Sequence, residues 1–229
     1  MYGRQSRAGG LGAPARWQNR AVPAELRDVA PGLWLWRLEH PAWSAESDWE
    51  PLVTSTCVES GGEVLVLDAL APPDADDDVW KRLDDRPPTA AVVLKADHVR
   101  DVDLFARRYG ARALGPWLYW RDDVPETELE QIEPGSELPG GLVALYDGRG
   151  RMETPLWLPE QRALVFADAF TAPGGELRVW ASPAHEERAL PALRALLELP
   201  FELVILAHGD PVHDRAAYER ALDLPPYVN

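Results

Sequence analysis

Four short runs of this chain are apolar at nearly every position and then stop at an ionisable side chain. They are Val64-Leu65-Val66-Leu67 before Asp68, Ala91-Val92-Val93-Leu94 before Lys95 and its charged neighbours, Ala163-Leu164-Val165-Phe166-Ala167 before Asp168, and Leu203-Val204-Ile205-Leu206-Ala207 before His208. A strand covered on both faces is apolar along its length, so each run predicts a buried strand whose titratable residues collect where it leaves the sheet. Ligand sites in open α/β sheets lie at such carboxyl ends. One aspartate after one strand is ordinary turn chemistry. Four such strands side by side would bring Asp68, His98, Asp168 and His208 to a single rim, which is how a site is assembled from distant sequence.

The remaining pattern fills in around them. Leu33 to Leu38 after Pro31-Gly32 reads as a first strand, and Leu52 to Val58 with Glu63 to Leu67 reads as a hairpin about Ser60-Gly61-Gly62. Between them a loop from Glu39 to Pro51 carries His40, Trp43 and Trp49, aromatic residues that either overhang a pocket or cover core. The aspartates of 74–78 crowd the start of a helix, where they complement its dipole. No calcium loop is present, because Val79 takes the place of the turn glycine.

Val102, Phe105, Ala106 and Tyr109 fall on one face of a helix predicted over Arg100 to Tyr109, and Gly110 ends it. The cluster Trp117-Leu118-Tyr119-Trp120 is expected to pack on a sheet edge. Strands are predicted at Leu142 to Tyr146, with a turn at 147–150, and at Glu153 to Leu158 and Leu177 to Trp180. Helices are predicted around Leu190 to Leu197 and Ala216 to Leu222. Two strand-rich blocks, each closed by helices, argue for sheet packed on sheet with helices outside.

Composition narrows the class. A chain of 229 residues, 46% hydrophobic, can bury one sizeable core. Residues 1–28 are read as a flexible tail without the apolar core of a secretory signal, and 29–229 as one domain. No stretch is apolar enough to span a bilayer. Cys57 is the sole cysteine, which excludes an internal disulfide and a thiolate cage, and its setting is that of a small strand hydrophobe. A cytoplasmic setting is expected. The net charge of −15 argues against nucleic acid as a partner and leaves a small molecule.

In order and spacing, Asp68, the loop after Leu94, Ala-Leu-Val-Phe-Ala-Asp168 and Ile-Leu-Ala-His208-Gly-Asp-Pro resemble the metallo-β-lactamase superfamily from about Pro31 onward. That resemblance implies a four-layer αββα sandwich and a hydrolase using one or two metal ions, commonly zinc, at the rim between the sheets. Asp168 and His208 match the bridging aspartate and the last histidine. The signature His-x-His-x-Asp-His is broken in either register. One register places Ala96, His98, Arg100 and Asp101 on its four histidine and aspartate positions, and the other places Val93, Lys95, Asp97 and His98 there. Glu153 stands in the region of a further histidine. His98-Val99-Arg100, Glu153 and Ala207-His208-Gly209-Asp210-Pro211 resemble a degenerate branch of the superfamily.

A full two-metal set needs five histidines, and this chain has five altogether: His40, His98, His185, His208 and His213. His40 and His185 are expected away from the rim, so at most one ion is expected. In a first reading His98, Asp168 and His208, with Glu153 or Asp101, hold one Zn, Mn or Fe ion with an open position for water. In a second, the protein is a metal-free, inactive binding protein in which Arg100 stands beside Asp168 and Glu153 and replaces the metal charge. Asp68 is expected to brace the loop. Lys95 is expected to be a solvated charge.

Overall fold

The computed structural model describes residues 23–47, 49–75, 77–120, 123–146 and 153–228. Its first sheet has seven strands in sequence order: β1 (Glu25–Ala30), β2 (Leu33–Glu39), β3 (Leu52–Ser60), β4 (Glu63–Leu67), β5 (Ala90–Val92), β6 (Arg112–Gly115) and β7 (Glu130–Gln131). The first four pair antiparallel and the last four parallel. A second sheet runs in the order β13 (Leu203–Leu206), β10 (Ala163–Phe166), β9 (Leu156–Leu158) and β8 (Val143–Ala144). Strands β11 (Phe170–Thr171) and β12 (Arg178–Val179) form a separate ribbon.

Strand alternation builds the layers, because successive side chains point to opposite faces. Leu65 and Leu67 of β4, Ala163 and Val165 of β10, and Leu203 and Ile205 of β13 share the core between the sheets. Their neighbours point outward. Val64 and Val66, with Trp34 and Trp36 of β2, meet Val79, Trp80 and Leu83 of α1 (Asp78–Asp85) and Phe105 of α2 (Val102–Tyr109). Leu164, Phe166 and Val204 meet Leu193 of α3 (Leu190–Ala195) and Tyr218 of α4 (Arg215–Ala221). Three apolar clusters therefore separate four layers, helix, sheet, sheet and helix.

Local chemistry agrees with the helix starts and stops. The Asp77 side chain caps α1 by accepting from the Val79 N–H, and Gly110 ends α2 in the left-handed region at φ 64°. Helix α2 begins at Val102, two residues later than its apolar pattern suggests, because Arg100 sits at φ 46° and cannot join it. Among the described residues no helix is long and apolar enough to cross a membrane.

Three sequence expectations change. Strand β1 begins at Glu25, so the folded part starts inside the stretch read as tail; its residues are exposed or half-buried and lack the apolar signal, while Leu26 pairs with Trp36. Residues 1–22 of that stretch and the turn at 147–150 lie outside the described residues. The aromatic cluster does not pack away on a sheet edge: Trp117 is 74% and Trp120 54% exposed. The four strands with ionisable ends are not side by side in one sheet. Two parallel pairs, β4 with β5 and β10 with β13, face one another across the sandwich.

Candidate metal centre and pocket

Parallel pairing puts the carboxyl ends of β4 and β5 on one rim, and of β10 and β13 on the facing rim. Backbone hydrogen bonds then join the two sheets at that rim. Thr54 N donates to Ala207 O at 2.8 Å, Thr154 N donates to Leu94 O at 2.7 Å, and Lys95 forms an isolated bridge with Glu153. The side chains that follow each strand are thereby brought together.

Asp168 Oδ1 stands 3.5 Å from His98 Nε2 and 3.5 Å from His208 Nε2, with all three residues buried. Donor atoms of the three lie within 4.8 Å of one another. Tetrahedral ligands held 2.0–2.1 Å from one ion are about 3.3–3.5 Å apart, so the two short edges have the size of a metal site. Asp168 Oδ1 is buried and accepts no hydrogen bond. A buried carboxylate oxygen left so is costly unless a cation completes it. The donor set therefore fits a divalent ion.

Behind the donors, Asp68 fixes His98. Its Oδ2 lies 2.8 Å from His98 Nδ1 and its Oδ1 accepts from Leu94 N at 2.7 Å, which directs Nε2 toward Asp168. Burial pushes the pKa of His208 down to about 3, with nearby His98, Arg100 and Lys95 adding to the effect against the opposing pull of Asp168. It is a neutral imidazole at ordinary pH, the form that ligates. Burial acts to raise the Asp168 carboxyl, but His98, Lys95 and His208 hold it well below the ordinary range. Of these, the Lys95 ammonium is charged whatever the state of the imidazoles.

Lys95 is not a solvated charge. Its Nζ lies 3.0 Å from Asp168 Oδ2 and bonds Asp97, with only 8% of the side chain exposed. Burial works against its charge, and Asp168 and Asp97 more than restore it, raising the pKa above the ordinary value. Arg100, expected beside Asp168 and Glu153, reaches elsewhere: its NH1 donates to Thr54 O at 2.8 Å and to Asp68 O. The cation on Asp168 is Lys95. Glu153 does not face the donors either. It is buried beneath them, and its Oε2 accepts the backbone N–H groups of Asp168 and Ala169, the latter at 2.9 Å. Burial and then the Asp168 charge push its pKa up to about 8.

A cavity of about 330 Å³ opens over the donors. Arg100, Lys95 and Asp97 line it, as do Trp49 and Trp180, whose rings approach that of His208 edge-on at 5.6 and 5.9 Å. His40 lines it as well, so with Trp49 its loop overhangs the pocket, one of the two arrangements its aromatic residues left open, although the histidine itself was not expected at the rim. Its Nδ1 accepts from Ala42 N at 3.2 Å, and its ring meets Trp49 at 5.2 Å. Burial, then Arg100 and His98, push its pKa down to about 4. No local pattern marks the pairing of Lys95, and only the aromatic loop that carries His40 pointed toward it.

No protein-family model and no curated protein matches the sequence. Solved structures do. TMB-1 superposes over 89% of this chain and 97% of its own, with a TM-score of 0.67 at 14% identity. A metallo-β-lactamase from Erythrobacter litoralis matches over 90% and 97%, with a TM-score of 0.67 at 16% identity. The metallo-β-lactamase FIM-1 from Pseudomonas aeruginosa, in its mono-zinc form, matches over 90% and 96%, with a TM-score of 0.64 at 18% identity.

The chain has the metallo-β-lactamase fold. Within that fold, the two registers of the signature differ in which side chains reach the cavity. Lys95, Asp97 and His98 of the second register line it, while Val93 packs on the helix side of its sheet. Ala96 borders a separate cavity beside Trp117 and Leu118, and Asp101 accepts from Ala71 N at 2.7 Å. Arg100 alone of the first register's departures reaches the site. Among the described residues the rim between the sheets carries one three-donor cluster, with an ammonium on the far oxygen of Asp168.

Proposed function

We propose that this protein is a hydrolase-type member of the metallo-β-lactamase fold whose pocket holds a single divalent ion on His98, Asp168 and His208. The observation that carries the reading is Asp168 Oδ1, buried, without a hydrogen-bond donor, and 3.5 Å from two imidazole Nε2 atoms. Zinc, manganese or iron suits two imidazoles and a carboxylate. When bound, such an ion supplies Lewis acidity and acidifies water near neutrality, the chemistry that hydrolysis of an ester, thioester or lactone needs.

The chain's own residues set the terms. Asp68 orients His98, Lys95 holds Asp168 by Oδ2 and leaves Oδ1 turned to the donors, and the rings of Trp49 and Trp180 flank that of His208 edge-on. Lys95 also limits the count, since its ammonium occupies the second oxygen on which another ion would depend. The test is metal content of protein purified without chelator, together with zinc-induced stabilisation. The expected result is one equivalent per chain, abolished in a His208→Ala, Asp168→Ala variant. Two equivalents in the parent, or none even with added metal, would contradict the proposal.

A second reading, a metal-free binding protein, is favoured by one observation only. The Lys95 ammonium already supplies a counter-charge to Asp168. It leaves Asp168 Oδ1 without a partner, which is why the metal reading is preferred.

A further inference from the structure

Arg100 is a guanidinium in the cavity wall that, among the described residues, forms no ion pair or hydrogen bond with a carboxylate. Among the described residues its partners are two backbone carbonyls, Thr54 O and Asp68 O, both reached by NH1. Carbonyls orient the group without neutralising it. Its backbone is held in the left-handed region at φ 46°, a conformation that a long side chain adopts only under constraint and that gathers at functional sites. Arg100 lines the same cavity as His98, Asp168 and His208.

The charges around the cavity give this cation a purpose. Lys95 pairs with Asp97 and Asp168, whereas Asp68, Asp168, Asp101 and Asp97 act on the Arg100 charge from nearby without pairing with it. A divalent ion on the three donors would offset part of that negative charge, and the cation of the wall that ion-pairs with none of these carboxylates is Arg100. A neutral donor lies in the same wall. His40 Nδ1 accepts from Ala42 N, which leaves the ring proton on Nε2. Trp49 and Trp180 add flat apolar walls beside His208.

We propose that Arg100 is the anion-binding residue of this pocket and that the substrate is a small carboxylic-acid derivative carrying one negative charge and an apolar body. The inference rests on the one-ion reading above for its charge balance. A guanidinium presents a donor fork that matches a carboxylate, and inside a partly dry cavity such a charge-assisted pair is strong. His40 then donates to an uncharged oxygen of the same molecule, and the tryptophans cover its apolar part.

Phenylacetate and its uncharged isostere phenylacetamide are the probes. Each is titrated calorimetrically into protein prepared with zinc, into chelator-treated protein, and into Arg100→Gln and Arg100→Lys variants, with the zinc content of every sample measured separately. Phenylacetate is expected to bind the zinc-containing parent at least about tenfold more tightly than phenylacetamide. Arg100→Gln should lose about tenfold in phenylacetate affinity at unchanged zinc content, and Arg100→Lys should lose less. Equal binding of the two probes by the parent, or undiminished phenylacetate binding by folded Arg100→Gln, would overturn the proposal; the second result would place the carboxylate on the ion alone. Equal binding of the two probes by the parent needs no variant, so the proposal can still be overturned even if Arg100→Gln does not fold. A protein that takes up no zinc but still prefers phenylacetate in an Arg100-dependent way would sink the one-ion reading and support the subsite.

Discussion

Lys95 Nζ and Asp168 Oδ2 lie 3.0 Å apart, an ion pair joining the loop after one sheet to the strand end of the other. Breaking a buried pair by removing one partner typically costs about 3–5 kcal/mol, because the remaining charge is left uncompensated. Lys95→Met is therefore expected to destabilise metal-free protein by roughly 3 kcal/mol. It should also raise zinc affinity, since a competing cation is gone from a ligand carboxylate. Urea unfolding with and without zinc checks both, and a variant as stable as the parent would show that the pair contributes nothing.

Glu153 supplies a pH prediction. Its folded pKa, raised to about 8, lies above the ordinary carboxylate value, so the folded state binds a proton that the unfolded chain has released. The stability linked to that proton is fully present below about pH 4 and is lost as pH rises through 8. Glu153→Gln keeps an oxygen for the N–H groups of Asp168 and Ala169 and has nothing to ionise. In chelator-treated protein its melting temperature should match the parent near pH 5 and exceed it by roughly 5 °C at pH 9. Equal values at pH 9 would mean that the buried carboxyl ionises at no cost.

Much of this was legible in the sequence, and the reason is strand physics. The runs ending at Asp68, Asp168 and His208 are buried on both faces, so their apolar letters carry the signal and their last residues mark the rim. Strand β1 was not legible because it is an edge strand whose residues stay exposed or half-buried. The role of Lys95 was hidden for a different reason. Whether a lysine is solvated or paired depends on a carboxylate delivered by the other sheet, and no local pattern records that meeting. Arg100 was placed in the cavity by its position after β5, but its partners, the carbonyls of Thr54 and Asp68, are set by backbone dihedrals that the residue name does not reveal.

The register of the broken signature can be tested by rebuilding it. Lys95→His removes the ammonium from Asp168 and puts an imidazole at the one altered histidine position of the second register that lines the cavity. This variant is expected to gain zinc binding, taking up more zinc than the parent or binding it more tightly. The alternative set, Ala96→His, Arg100→Asp and Asp101→His, should gain none, because Ala96 borders another cavity and Asp101 is engaged with Ala71 N. A gain in zinc binding by the alternative set and none by Lys95→His would reverse the assignment.

The central claim is that His98, Asp168 and His208 hold one ion and one only, and the most direct measurement is a calorimetric zinc titration of chelator-stripped, refolded-free native protein. One equivalent should bind, with affinity reduced at least about a hundredfold in Asp168→Asn and in His208→Ala. Uptake of two equivalents, or a single equivalent that survives both substitutions unchanged, would contradict it.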